Sequence, residues 1–168
     1  MANTLLKYLF LAFFVCSGTV ALASSASAAP DAKTMSPIGI WLFPNQRFAV
    51  AIDRCGDQLC GKVAWLKAPC DDRGAPRVDS ENADPTLRSR PILGLTVMTG
   101  LRQTADRDWE DGKIYNPDDG SNYLALLSMN EDGSLRVRAY VGIPELGKTL
   151  VLTRIAEGAL PIRIDPVL

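Results

Sequence analysis

The chain contains no histidine, which removes imidazole proton shuttles, Ser-His-Asp and Cys-His pairs and His-ligated zinc from the chemistry open to it. What remains is carboxylates, guanidinium groups, phenols and thiols. Asp79, Asn82, Arg88 and Arg90 crowd one short polar stretch. Arginines beside carboxylates act either as a salt-bridged clamp that holds a loop or as a grip on an anionic ligand. Arg136, Arg138 and Tyr140 alternate with Leu135, Val137 and Ala139. Pointing into a barrel, that ladder would bind a carboxylate. Burying two unpartnered guanidinium groups is costly, so the aliphatic face is expected inside. Trp65, Tyr115 and Tyr123 are candidates for a pocket wall, core packing being the commoner fate of such side chains.

The thiols have a different logic. Cys55 and Cys60 flank a short turn between two alternating apolar runs, and Cys70 lies further on. If Leu59 to Lys67 is one strand rising roughly 3.3 Å per residue, Cys70 ends far beyond the roughly 7 Å between Cα atoms that a disulfide tolerates from Cys60. A Cys55–Cys60 staple is therefore expected, with Cys70 left as a free thiol or a link between two copies. Asp106-x-Asp108-x-Glu110-Asp111-Gly112 resembles a calcium loop but puts its glycine one place late and Pro117 where a bidentate Glu belongs. It reads as an acidic hairpin tip with a turn at Asp111-Gly112, and Asn116 to Gly120 reads as another turn. No metal and no cofactor is expected. Catalysis would need a carboxylate pair such as Asp53 with Asp79, or a Cys70 thiolate; a non-catalytic protein is the expectation.

The elements that position these residues begin with a leader. Residues 1–28 have a short region bearing Lys7, an apolar stretch and the small-residue site Ala26-Ser27-Ala28, the three parts of a cleavable export signal. Export to an oxidising compartment suits the expected disulfide. Residues 29–36 form a flexible lead, 37–154 the folded domain, and 155–168 a tail. About 140 residues remain after cleavage, enough for one domain. With a formal net charge of −1, nothing in the chain attracts nucleic acid, and no membrane span remains once the leader is gone.

Period-two alternation runs through Phe48-Val50-Ile52, Gly61-Val63-Trp65, Leu95-Val97-Thr99-Leu101, Ser121 to Met129, Ser134 to Val141 and Thr149 to Arg154. Glycine-containing turns separate several of these segments, and beyond the leader no segment holds a 3.6-residue period at helical length. An all-β, antiparallel, up-and-down barrel of about eight strands follows. Residues 68–91 form a long polar connection without periodicity, suited to capping one barrel end.

Gly39-Ile40-Trp41, Cys55-Gly56, Leu59-Cys60-Gly61-Lys62, Asp79 to Asn82, Asp84-Pro85, Arg88, Arg90-Pro91, Trp109, Gly112 to Pro117 and Tyr140-Val141-Gly142, in that order, resemble one exported bacterial family, the domain of unknown function 2147 family. The resemblance implies a lipocalin-like barrel, favours the periplasm over full secretion, and brings no activity with it. Leu152 stands where members tend to carry Trp. Gly-x-Trp on the first strand with an Arg ending the last would let Arg154 stack on Trp41 and close the barrel floor. The function expected is binding of a small, partly apolar or carboxylate-bearing ligand or an envelope component. The alternative is a scaffold or interaction module whose barrel is filled by its own side chains. Inward-facing Ala49, Ala51, Ala64 and Ala125 would favour the first, bulky inward residues the second.

Overall fold

The computed structural model describes residues 35–156, 158 and 159. The expected export signal, the lead up to residue 34 and most of the tail lie outside the described residues. Eight strands follow one another: β1 (Gly39–Leu42), β2 (Phe48–Cys55), β3 (Gln58–Leu66), β4 (Thr96–Ala105), β5 (Asp108–Asn116), β6 (Ser121–Met129), β7 (Leu135–Tyr140) and β8 (Lys148–Ile155). Each pairs antiparallel with the next, and β8 pairs with β1, so the sheet closes into a barrel without a free edge. No helix among the described residues is long and apolar enough to cross a membrane.

Up-and-down order sorts the connections to two ends. The β2–β3, β4–β5 and β6–β7 turns gather with the start of β1 and the end of β8 at one end, called here the floor. The β1–β2 turn, residues 67–95, residues 117–120 and residues 141–147 gather at the other, the rim. Alternation sends one set of side chains inward, among them Trp41, Val50, Ile52, Met98, Leu101, Leu127, Leu135, Val137 and Leu152, all buried.

This interior is solid. Gly112 and Ala125 sit opposite each other on β5 and β6, and Leu101 fills the space they leave: a Cβ on Gly112 would lie 2.6 Å from Leu101 Cγ. A Cβ on Gly61 would meet Val50 Cγ1 at 2.8 Å and Met98 Sδ at 3.0 Å. Of the alanines expected to open a cavity, Ala125 faces in but is covered, and Ala51 pairs with exposed Lys62 on the outer surface. Bulky residues therefore fill the barrel.

Asp111-Gly112 does not turn the chain; it lies within β5, where the pairing shifts register against β6 between Trp109 and Gly112 and Asp111 has a φ of 59°. Asp and Gly are turn formers by type, but here they build an irregularity that bends a continuous strand. The hairpin turn falls at Asp106-Arg107 instead.

Candidate functional site

The floor is closed by the seam between the first and last strands. Trp41 and Arg154 are direct partners across β1 and β8, and the guanidinium carbon sits 4.3 Å from the indole centroid. Arg154 Nη1 donates to the Ile38 carbonyl at 2.7 Å, Nη2 donates to that of Ser36, and Trp41 Nε1 donates to that of Pro37 at 2.7 Å. Three successive carbonyls thus tie residues 36–38 across the floor. Arg154 Nε is buried without an acceptor among the described residues, and burial lowers the guanidinium pKa from its ordinary value. The negative face of the indole offsets that cost. Gly39 leaves the guanidinium room: its φ is 142°, and a Cβ there would collide with Arg154 Nη1.

At the rim, the long connection is held by a buried carboxylate. Asp79 is 0% exposed. Its Oδ1 accepts from the Tyr115 hydroxyl at 2.5 Å, and its Oδ2 accepts from Asn82 Nδ2 and Arg90 Nε, each at 2.8 Å. Arg90 Nη2 completes the ion pair at 2.8 Å. Asn82 Nδ2 also donates to Tyr115 Oη at 3.0 Å, and Arg88 Nε donates to the Asn82 carbonyl at 2.8 Å. Burial, then the bond to Asp79, raises the Tyr115 pKa above its ordinary value. Further along, Gly120 at φ 70° lets the Glu81 carbonyl press against the β5–β6 turn where no Cβ would fit. The five residues Asp79, Asn82, Arg88, Arg90 and Tyr115 are therefore one cluster, with the Asp79 carboxylate engaged on both oxygens. Its geometry is that of a clamp.

The other expected site residues stand apart. Arg136 and Arg138 alternate with buried Leu135 and Val137 and point outward, so they do not grip anything inside the barrel. Arg138 instead braces the 141–147 connection through the Pro144 and Glu145 carbonyls and Thr149 Oγ1. Tyr123 donates to Asp119 in the neighbouring turn at 3.1 Å, and Trp65 lies on β3 opposite Ala49. Asp53 lies in the floor half of β2, whereas Asp79 is at the rim, so no carboxylate pair forms between them. The Cys55–Cys60 disulfide is present, with Cα atoms 5.9 Å apart, and Cys70 is an exposed free thiol. Among the described residues no cluster of metal-ligating side chains occurs.

A cleft that the residue types alone did not mark opens at the floor. Its volume is about 250 Å³. Leu59, Leu101 and Trp109 form its apolar base, and Arg54, Asp57, Gln103 and Asp106 are among its polar lining, with residues 35–38 as a lip. Register explains the grouping: Arg54 pairs with Leu59, Leu59 with Leu101, and Gln103 with Trp109, so these side chains share the inner face near its end. The one signal in the sequence was Arg54 itself, a charge continuing the inward series Val50, Ile52.

A closed eight-stranded antiparallel barrel, plugged by a tryptophan of the first strand under an arginine of the last, defines a lipocalin-like barrel protein. Residues 39–154 match the family described as "Uncharacterized protein conserved in bacteria (DUF2147)", and the chain belongs to that family. Among solved structures it is similar to protein HP1028 from the human pathogen Helicobacter pylori, described as belonging to the lipocalin family, with 23% identity and a TM-score of 0.62 over 73% of this chain and 84% of that one. At that identity the likeness is one of fold. No curated protein matches the chain.

Proposed function

We propose that this chain is an exported, periplasmic, non-catalytic binding protein that takes a small ligand at the floor of its barrel. The observation that carries the reading is the cleft of about 250 Å³ with an apolar base and a polar rim, set on a barrel whose interior is otherwise filled. An apolar floor with a few convergent polar groups is the usual make-up of a small-molecule site, although this one lies below the usual range of roughly 300–1,000 Å³. It suits a ligand smaller than a typical drug. Native mass spectrometry of the mature protein isolated from the cells that produce it, beside a denatured sample, tests this: an added mass lost on denaturation is expected. A bare mass, together with no change in the intrinsic tryptophan fluorescence of the wild-type protein across a small-molecule panel, would overturn the reading.

A second reading has its own observation. Val141, Ile143 and Leu146, exposed by 70%, 54% and 80%, stand in one rim connection. Exposed apolar side chains of this size beside a filled barrel suit an interaction module that docks a partner at the rim. Size-exclusion chromatography with light scattering, with and without reductant, separates a monomer from a Cys70-linked or rim-linked pair.

A further inference from the structure

We infer that the floor cleft takes an amphoteric small molecule, one that carries an ammonium and a carboxylate at one end and a branched or aromatic apolar group at the other, as a free apolar amino acid does. This rests on the proposed binding function and deepens it. The charged groups around the cleft have both signs: the Arg54 guanidinium on one side of the tally, the Asp57 and Asp106 carboxylates on the other. None of the three makes an ion pair among the described residues, where the pairs are Arg90 with Asp79 and Arg107 with Glu131. Exposed charges are ordinarily content in water; what sets these apart is that they surround a hollow with Leu59, Leu101 and Trp109 at its base and the partly exposed Met35 and Ile38 at its lip. A ligand seated on that base brings its polar end up to charges of both signs.

The turns that carry these charges are held in place. The Cys55–Cys60 disulfide closes the β2–β3 turn, with Arg54 immediately before the staple and Asp57 inside it. Gln103 Nε2 donates to the Ala105 and Asp106 carbonyls at 3.1 and 3.2 Å, which fixes the β4–β5 turn under Asp106 and leaves Gln103 Oε1 as an acceptor. The lip at residues 36–38 has its carbonyls committed to Trp41 and Arg154, so it contributes an apolar wall. Such prior ordering reduces what binding must spend on fixing loops.

Size and charge then select the ligand. At about 250 Å³ the cleft lies just below the roughly 300–1,000 Å³ of drug-sized sites, which suits a compact molecule better than a long acyl chain lying wholly inside. A carboxylate alone would meet Arg54 but be repelled by two carboxylates; an amine alone would leave Arg54 uncompensated. A zwitterion satisfies both. Charge-assisted hydrogen bonds are the stronger kind, and losing one lowers affinity about tenfold or more.

The test is calorimetric titration of the mature, oxidised protein with matched probes: L-leucine and L-phenylalanine, their deaminated forms 4-methylpentanoate and 3-phenylpropanoate, and their decarboxylated forms isopentylamine and 2-phenylethylamine. At least one amino acid is expected to bind tenfold or more tightly than either of its halves. Arg54→Gln should cut amino-acid affinity about tenfold while sparing the amine, and Asp57→Asn with Asp106→Asn should cut it while sparing the carboxylate. These positions are exposed, and circular dichroism checks that the variants fold. If a deaminated probe binds as well as its amino acid, the amphoteric class is overturned and the binding function stands. If the protein carries an added mass in native spectra yet binds none of the six probes, the inference likewise fails alone. A bare protein that binds none of them and shows no change in intrinsic tryptophan fluorescence across the panel removes both.

Discussion

The two ends of this barrel use polar residues in opposite ways. At the rim, Asp79 is fully buried and both its oxygens are engaged by Tyr115, Asn82 and Arg90. At the floor, Arg54, Asp57 and Asp106 surround a cleft with no ion pair among the described residues. A charge satisfied from within holds structure, whereas charges left open beside an apolar hollow are available to a ligand. The more conspicuous polar cluster in the sequence is thus the less suited to binding.

The costliest substitution is expected at the floor plug. Trp41→Ala should cost about 4 kcal/mol of stability, because it removes a buried aromatic and the ring under Arg154 at once; urea unfolding measures it. At the rim, Asp79→Ala should cost about 3 kcal/mol, since it strands the buried partners of the carboxylate, with the half-exposed Arg90 partly relieved by water. In the same titration it should leave ligand affinity at the floor unchanged. Equal loss at both ends would show that clamp and cleft are coupled.

Removing the staple sharpens the floor side. Cys55→Ser with Cys60→Ser should lower stability by about 2 kcal/mol on chain entropy and weaken binding at the cleft, a loss that wild-type protein should reproduce on reduction. The rim has a pH signature instead. The Tyr115 pKa is raised in the folded state, so its contribution is fully present below the ordinary tyrosine value of about 10 and is lost as pH rises through the folded value. Stability should therefore fall above that point in wild type and fall less in Tyr115→Phe, followed by thermal melts across alkaline pH. The smallest effect is expected on the outer surface: Arg136→Gln should change stability by less than about 0.5 kcal/mol and leave binding untouched.

Much of the barrel was legible along the chain because alternation at period two marks which residues enter the core, and hairpin turns between alternating runs leave few topologies. The Trp41–Arg154 plug and the Cys55–Cys60 staple were legible for the same reason, each being tied to strand ends or to a single hairpin. The Asp79 clamp was half visible: carboxylate and arginines lie close in sequence, but Tyr115, 36 residues from Asp79, is supplied by a strand whose place depends on the whole sheet. The bulge at Asp111-Gly112 was misread since those residue types serve turns and bulges alike.

The strands, their inward faces and the local staple can be read from the residues alone, because these depend on neighbours within a few positions. That the interior is full and that the open charges border one floor cleft emerges only when the barrel closes. Whether Leu101 fills the space over Gly112, or whether Arg54, Gln103 and Asp106 border one hollow, depends on inter-strand register and on how the closed barrel packs, and neither is written in any single segment.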